Sequence, residues 1–482
     1  RVFRQVKGKY NSYLLYLFSG RRDLPRPFST FIARYAIDAI NAIDARPMLP
    51  TNKRSYLDPI HQDIVLDRKD PAERLIIDLI DTDEFQRLRR IQQLGISHFT
   101  FQGAEGSRFT HSVGVMHVAS MLVEHLLEKH PNLIEQRPLI LAAALLHDIG
   151  HGPFSHVTEK ILCYDHEDWS CRIISGDTKV RAVLDSFEED PNLAQKIVAV
   201  LKKTYHPKYV SHMVSSQLDC DRFDYLLRDS YMTGTKYGLF ALQRILRSME
   251  IDEINERIIV AGEKGQIAVE DYLFARYSMY AQVYYHRKNL AARLLLTKLI
   301  NRARKRMDDR TKPAVFLDQV TSKWLAGDDL TVNDYLQLDD VTLNYHIKRW
   351  KDDPDPILCD LADRFVNRRL FKAMRINSKD KRLLRDIEGE ARRLTKDAGL
   401  DPDYYVGIES TGFRPYDYYR PDDAYPQTNI IVQTEYGEIK ELSRVSLAVE
   451  ALVKGNYESN WLVYPDEISQ NIAKIKELLP VG

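Results

Sequence analysis

The chain has 482 residues, with 69 basic and 69 acidic side chains and a formal net charge of zero. A neutral balance gives no global field that attracts nucleic acid or a membrane surface. With 44% hydrophobic and 29% charged residues, the composition is that of a globular protein. The longest apolar runs are too short to span a bilayer. We therefore expect no membrane partner and no obligatory nucleic-acid partner.

The four cysteines lie far apart, and no two of them form a CxxC pair. This spacing argues against a thiolate zinc site and is typical of a reducing compartment, so we expect a cytoplasmic protein. Residues 1–50 are basic and aromatic, without a clear cleavage pattern. We predict that they form a peripheral N-terminal extension.

Helical periodicity dominates the next part of the chain, residues 51–310. Apolar residues at spacings of three and four predict a helix over 70–95, interrupted near "DTDE" and ending at Gly95. Alternation in "RIIVAGEKGQIAV" predicts a short hairpin over 257–269. The other predicted helices cover 110–130, 137–149, 192–203, 211–230, 240–250 and 270–306.

The sequence pattern changes in residues 311–482. Charged segments such as "RLLRDIEGEARRLTKDAG" indicate exposed helices, and "NIIVQTEYGEIKEL" (429–442) predicts two strands around Tyr436-Gly437. The Tyr/Pro-rich segment 413–426 is predicted to be a loop. The whole pattern predicts a mainly α fold: a helical core, a small hairpin and an α+β C-terminal region.

The segment "LAAALLHDIGHGPFSH" (141–156) places three histidines and an aspartate after the most apolar helix. His147 and Asp148 end that helix and can reach one ion beside it; the alternative is a histidine favoured by the helix dipole. His111 is the obvious third ligand. Two imidazoles and two carboxylates suit Mg, Mn, Fe, Ni or Zn in an open site better than a closed structural zinc site. The candidates for the fourth ligand are Asp219, Asp221, Asp224 and Asp229.

The segments "SRFTHSVGV", "LLHDIGHGPFSH", "DHED" and "DCDRFDYLLRD" occur in the order and spacing of a known family. From about residue 54 the chain resembles the HD-domain deoxynucleoside triphosphate (dNTP) triphosphohydrolases. These include bacterial dGTPase-like members and the human sterile-alpha-motif-and-HD-domain enzyme. The resemblance implies an HD-domain catalytic core in 51–310. It also implies metal-dependent hydrolysis of dNTPs to deoxynucleoside and inorganic triphosphate.

The resemblance also assigns the catalytic residues. The metal ligands are then His111, His147, Asp148 and Asp221. The phosphate site is lined by His151, His156 and His166, with His156 or His166 as the proton donor. Attack at the α-phosphorus expels the nucleoside 5′-oxygen, a poor leaving group unless it is protonated. A histidine with a pKa near neutrality can supply that proton.

The same resemblance implies the substrate contacts. Arginines would contact the triphosphate or the base, although the family often has lysine at the position of Arg222. Asp229 and Gln93 would bind the 3′-hydroxyl, and Tyr284 would exclude a 2′-hydroxyl by collision. Tyr280 is compatible with pocket lining and with core packing. The complete substrate set is Gln93, Leu94, Arg108, Arg222, Tyr225, Asp229, Arg276, Tyr280 and Tyr284.

A second nucleotide site is implied at Asp81, Gln86 and Arg89, which match family positions that read a guanine nucleotide at a subunit interface. The expected activator is dGTP or GTP, and the expected assembly is a homotetramer supported by residues 311–482. Without the resemblance, these three residues are exposed helix charges. Two alternatives stay open: an HD phosphohydrolase for another nucleotide or phosphodiester, and a non-catalytic nucleotide-sensing module.

Overall fold

The computed structural model describes residues 52–309, 311, 313–416, 429–455 and 457–479. The predictions for residues 1–50 and for most of the Tyr/Pro-rich segment fall outside this part. The mainly α prediction is confirmed. In chain order the helices are α1 (Pro71–Ile80), α2 (Asp83–Gln86), α3 (Arg108–Leu127), α4 (Arg137–Leu146), α5 (His156–Leu162), α6 (His166–Ser175), α7 (Lys179–Asp185), α8 (Leu193–Leu201), α9 (Lys208–Val214), α10 (Cys220–Met232), α11 (Leu242–Ser248), α12 (Gly262–Met279), α13 (Arg287–Met307), α14 (Gln319–Ala326), α15 (Val332–Tyr335), α16 (Asp340–Trp350), α17 (Pro356–Val366), α18 (Lys381–Asp397), α19 (Pro402–Tyr405), α20 (Leu447–Lys454) and α21 (Ile472–Lys476).

The strands form three small sheets, with the orders β1-β2, β3-β4-β7-β8 and β5-β9-β6. All pairs within the two larger sheets are antiparallel except the parallel pair β4–β7. The strands are β1 (Lys53–Asp58), β2 (Gln62–Asp67), β3 (Met249–Asp252), β4 (Arg257–Ala261), β5 (Lys372–Ile376), β6 (Gly407–Phe413), β7 (Ile431–Gln433), β8 (Ile439–Glu441) and β9 (Tyr457–Tyr464).

Helix α4 lies at the centre of the fold. Every residue from Leu139 to Leu146 is buried, because a helix that is apolar on all sides needs neighbours on all sides. Helices α1, α3 and α8 supply them. The helix ends at His147, so the polar segment that follows begins inside the protein rather than at its surface.

Two predicted helices are each divided in the structure. The prediction of one helix over 211–230 is wrong, since α9 ends at Val214 and α10 begins at Cys220. Asp219 caps α10 by accepting a hydrogen bond from the backbone N–H of Arg222. The predicted 270–306 helix is interrupted by a π-helical turn at Tyr280–Tyr284, before α13 begins.

The hairpin prediction over 257–269 is wrong in its second strand. Strand β4 pairs with the preceding strand β3, and the chain then enters α12 at Gly262. Gly262 has a φ of +71°, a conformation that glycine adopts without strain. The chain changes direction there and continues as α12 instead of a second strand. The two strands predicted around Tyr436-Gly437 are present as β7 and β8.

Residues beyond 310 contact two loops of the N-terminal half of the chain, one at Gln92 and one at Phe154. The Asp340 carboxylate accepts hydrogen bonds from the backbone N–H groups of Gln92, at 2.8 Å, and Phe154, at 2.7 Å. Arg90 pairs with Asp339 at 2.5 Å. Ser55–Gly482 form one unit with a hydrophobic core that continues across residue 310. The division into domains at residue 310 stays a prediction. None of the helices in the described ranges is long and apolar enough to cross a membrane.

Candidate active site

Four donor side chains meet at the end of α4, where α3 and α10 approach it. His111 Nε2 lies 3.1 Å from Asp221 Oδ1 and 3.6 Å from Asp148 Oδ2. His147 Nε2 lies 3.4 Å from Asp148 Oδ1 and 3.5 Å from Asp221 Oδ1. Metal–ligand bonds of about 2.1 Å place adjacent ligand atoms about 3 Å apart. His111, His147 and Asp148 form a possible ligand group with donor atoms within 4.8 Å of one another, and Asp221 adjoins both histidines.

The hydrogen bonds of the two histidines prepare them as ligands. His147 Nδ1 lies 2.8 Å from the carbonyl oxygen of Ala144, which only accepts, so Nδ1 carries the proton. His111 Nδ1 likewise donates to the carboxylate of Asp224 at 2.8 Å. Both Nε2 atoms therefore face the shared space. His147 Nε2 is buried without a hydrogen-bond partner among the described residues. This donor set fits a divalent metal ion.

The electrostatics of the site favour a cation. Burial alone would lower the pKa of His111, but hydrogen bonds to Asp221 and Asp224 raise it to about 10. Burial would raise the pKa of Asp148, yet neighbouring His147 and Arg108 hold it well below its usual value. The buried carboxylate of Asp148 thus stays ionised and attracts positive charge, either protons on the imidazoles or a metal ion.

Three histidines and a glutamate adjoin the metal donors. His151 Nε2 lies 3.3 Å from Asp148 Oδ1, and its ring stacks on His166 with centroids 3.9 Å apart. Glu159 accepts hydrogen bonds from Nδ1 of both His156 and His166, each at 2.8 Å. The structure therefore brings all three predicted phosphate-site histidines together, around one carboxylate that the sequence analysis did not single out.

The charges of this cluster differ from one ring to the next. Burial lowers the pKa of His151 well below its ordinary value, and nearby Arg108 lowers it further, so His151 is neutral. Burial also opposes a charge on His166, but the hydrogen bond to Glu159 outweighs it and raises the pKa. The same hydrogen bonds hold the pKa of Glu159 low against the effect of its burial. His166 is thus equipped to carry a proton beside a neutral His151.

Two of the predicted arginines are engaged with nearby acids. Arg108 is buried at the start of α3, where it donates to Asp148 and, at 3.0 Å, to Ser155 Oγ. Arg222 donates to Asp219 at 2.5 Å and keeps part of its side chain exposed. Both arginines lie beside the candidate metal ligands. Each would have to release or share its present acidic partner in order to bind an anion.

The predicted sugar-site residues meet further along α10, toward its C-terminal end. Tyr284 donates a hydrogen bond to Asp229 Oδ2 at 2.8 Å, and its ring lies 6.4 Å from that of Tyr225. Asp229 Oδ1 and Gln93 Oε1 are buried and have no hydrogen-bond partner in the described part of the chain. Burial raises the pKa of Asp229 to about 7. Two buried oxygens without a partner are thus available to a hydroxyl group or a water molecule at this position. Leu94 is half-buried in the segment next to Gln93.

Two further predicted residues lie at or just before the π-helical turn. Tyr280 stacks on Phe413, with ring centroids 4.1 Å apart and planes 7° apart. Arg276 is buried and donates to the carbonyl of Pro415 at 2.8 Å, while its Nε has no hydrogen-bond partner among the described residues. Both line a cavity of about 460 Å³ next to β6. Tyr280 is half-buried, lines this cavity and stacks on Phe413, and neither ring belongs to the hydrophobic core.

The predicted effector residues lie apart from these groups. Arg89 donates to Gln86 at 2.8 Å, and its guanidinium lies 3.5 Å from the centroid of the Phe109 ring. Asp81 is exposed at the C-terminal end of α1. These three residues thus present charge and hydrogen-bonding groups at the surface around α2.

The structure contains a cation-rich cavity of about 640 Å³ that the sequence analysis did not predict. Arg287 and Lys288 have no acidic partner among the described residues, whereas Arg364 pairs with Glu467 and Lys372 lies 3.4 Å from Asp466. The side chains come from the start of α13 and from residues 364–372, which run from the end of α17 to the start of β5, so two segments distant in the chain form the cluster. The cationic lining residues are Arg287, Lys288, Arg364, Arg368, Arg369 and Lys372.

Comparisons with known proteins agree with this geometry. The family model described as the HD domain matches residues 108–229. The chain is 41% identical to the uncharacterised protein YwfO of Bacillus subtilis, over 87% of this chain and 93% of that protein. It also resembles the crystal structure of a Bacteroides thetaiotaomicron phosphohydrolase with a TM-score of 0.72 and 27% identity, covering 86% of this chain and 99% of that one.

More distant relatives carry a named activity. The chain is 31% identical to human deoxynucleoside triphosphate triphosphohydrolase SAMHD1, over 48% of this chain and 41% of that protein. It therefore spans less than half the length of that relative. The chain belongs to the HD-domain phosphohydrolase family, in the group related to the SAMHD1-like dNTP triphosphohydrolases.

Proposed function

We propose that this phosphohydrolase converts dNTPs to deoxynucleoside and inorganic triphosphate. The observation that carries the proposal is the layout of α10. Asp221, Tyr225 and Asp229 recur every four residues, so one face of the helix runs from the metal donors to the sugar-site residues over about 12 Å. An extended nucleotide placed along this face has its α-phosphate near Asp221 and its 3′-hydroxyl near Asp229.

The residues divide the chemistry between them. His111, His147, Asp148 and Asp221 would hold a divalent ion, which in such a site activates water and polarises a phosphoryl oxygen. Water oxygen bonds to the α-phosphorus, and the bond from phosphorus to the 5′-oxygen breaks. His166 or His156 donates a proton to the departing 5′-oxygen, with Glu159 orienting both rings. The neutral His151 accepts or donates a hydrogen bond to phosphate without adding charge.

Product analysis tests this proposal. The full chain is incubated with Mg²⁺ or Mn²⁺ and each dNTP alone, then with dGTP or GTP added, and the products are separated. We expect deoxynucleoside plus intact triphosphate. Mono- or diphosphate products identify a different HD phosphohydrolase, and nucleotide binding without any product identifies a sensing module.

We expect Tyr284→Ala to relax the discrimination against ribonucleotides. The Tyr284 hydroxyl bonds Asp229, which places its ring beside the proposed sugar position. Removing the ring opens space for a 2′-hydroxyl, so the ratio of kcat/KM for dATP over ATP should fall about 10- to 100-fold. Tyr285→Ala is the matched control, because the Tyr285 hydroxyl bonds the carbonyl of Gly412 instead. An unchanged ratio in Tyr284→Ala would place the sugar elsewhere.

We also propose a nucleotide activator, dGTP or GTP, at a site separate from catalysis, in a homo-oligomer. Two surfaces support it: the exposed group of Asp81, Gln86 and Arg89, and the cation-rich cavity, whose guanidinium groups suit bidentate phosphate contacts. The reactions above, run with and without dGTP or GTP and combined with size measurement in solution, test both parts. A monomer that is fully active without either nucleotide would contradict them.

A further inference from the structure

One buried carboxylate beside the metal donors has no part in the proposed chemistry. Asp224 is completely buried on α10, one turn after the metal donor Asp221. Its Oδ2 accepts hydrogen bonds from His111 Nδ1 and Arg228 Nε, both at 2.8 Å. Its Oδ1 accepts from His61 Nε2 at 2.7 Å and from Arg228 Nη2 at 2.9 Å. One helix thus contacts both nitrogens of His111, through Asp221 and through Asp224.

The backbone of α3 is shaped to admit this carboxylate. A Cβ atom on Gly114 would lie 2.1 Å from Asp224 Oδ1 and 2.4 Å from Arg228 Nη2, closer than any real contact. Gly114 lies one turn after His111 on the same helix, so the absence of a side chain there lets α10 approach the ligand closely. The position of Asp224 is therefore built by both helices and is not an accident of one rotamer.

The network continues from Asp224 into the β1–β2 hairpin. His61 lies in the hairpin turn with 5% of its side chain exposed, and its ring packs near His117 with centroids 5.3 Å apart. Asp58, at the end of β1, accepts a hydrogen bond from Arg228 Nη1 at 2.8 Å. Asp58 also accepts from the backbone N–H of His61 at 3.0 Å, which fixes the turn. His61 is thus linked directly to the Asp224 carboxylate, and Asp58 is linked to it through Arg228.

We propose that Asp224 is a positioning residue for His111, and that the β1–β2 hairpin, through His61 and Asp58, determines how firmly the metal site is held. A carboxylate that accepts from Nδ1 fixes the tautomer and the ring orientation, and leaves Nε2 as the ligand atom. Because Asp224 Oδ1 is held by His61 and Arg228, displacing the hairpin loosens the carboxylate and hence the ligand. The inference rests on the metal site of the proposed function, but not on the substrate.

The test measures metal affinity instead of turnover. Co²⁺ is titrated into the metal-free full chain, its visible absorption is recorded, and Kd is obtained by competition with a chelator. We expect Asp224→Asn and His61→Ala to weaken Co²⁺ binding about 10- to 100-fold and about 10-fold, respectively. His61→Gln keeps an N–H that can reach Asp224, so it should restore affinity to within about threefold of the wild type. His125→Ala, at the other end of α3, is the control.

The melting temperature of each metal-free variant separates positioning from general stability. A lower melting temperature with unchanged Co²⁺ affinity in His61→Ala would mean that the network only supports the fold, and would overturn the inference. His147→Ala provides the reference for the metal site itself. Wild-type affinity in His147→Ala would overturn both the metal site and the inference. Weak binding there, with wild-type affinity in His61→Ala and Asp224→Asn, would overturn the inference alone. If Asp224→Asn does not fold, the comparison of the Co²⁺ affinities of His61→Ala and His61→Gln tests the inference.

Discussion

Replacing His147 or Asp148 by alanine is expected to abolish dNTP hydrolysis while leaving the oligomeric state unchanged. Each change removes one of four candidate donors, whose imidazole-to-carboxylate distances at the end of α4 are 3.1–3.6 Å. Losing the electrostatic stabilisation of an ion-assisted step costs several kcal/mol, so kcat should fall about a thousandfold or more. The measurement is initial-rate kinetics at saturating Mn²⁺ and dNTP, together with elution volume in size-exclusion chromatography.

The fold should survive both substitutions, because the core of α4 precedes these residues and stays intact. His125→Ala, on α3 about 21 Å along the helix from His111, is the matched histidine control and should keep wild-type kinetics. If either His147→Ala or Asp148→Ala retains full activity, the metal assignment is wrong. Loss of activity with a changed elution volume would instead point to damaged assembly.

Glu159→Gln is expected to lower kcat about 100- to 1,000-fold, because Glu159 orients both candidate proton donors. Glu159 also raises the pKa of His166 against the effect of burial. The acid must be protonated to act, so the alkaline limb of the pH–rate profile reports its pKa. Without the carboxylate that pKa falls, and the limb should move to lower pH. Steady-state kinetics between pH 5.5 and about 9 measure both effects.

A substrate with a better leaving group identifies the proton donor. 4-Nitrophenyl triphosphate expels nitrophenolate, which needs little protonation. His166→Ala and His156→Ala should each be compared with the wild type on this compound and on a dNTP. The variant that lacks the general acid should lose far more activity on the dNTP. Equal losses on both substrates in both variants would show that these histidines only bind or orient phosphate.

The sequence alone indicates where three of the proposed metal ligands lie, because they adjoin recognisable helix ends. His147 and Asp148 follow the most apolar run, and His111 starts the helix packed against it, so periodicity places three donors together. The fourth donor could not be chosen by periodicity among four aspartates of one segment. In the structure Asp219 caps α10, while Asp221 Oδ1 lies 3.1 Å from His111 Nε2, so Asp221 stays the proposed fourth ligand.

Other features depend on contacts that no local pattern records. Glu159 has a weak signal, its i+3 spacing from His156 on α5, but its second partner His166 lies on another helix. Asp224 was one of four candidate ligands, and only the three-dimensional structure shows that it accepts a hydrogen bond from His111 Nδ1, at a point where Gly114 leaves room for it. The cation-rich cavity gathers residues from three elements. The alternation over 257–269 was misread because Gly262 starts a helix there.

The bonds from Asp340 to the backbone of Gln92 and Phe154 limit how this enzyme can be dissected. The segment that matches the HD model contains every metal donor, yet the two loops beside those donors are tethered by a residue more than a hundred positions downstream. A fragment ending near residue 310 would retain the ligands and lose the tether. Truncated or chimaeric forms of the chain should therefore keep Asp340 together with the segment that matches the HD model, although the two are far apart in the sequence.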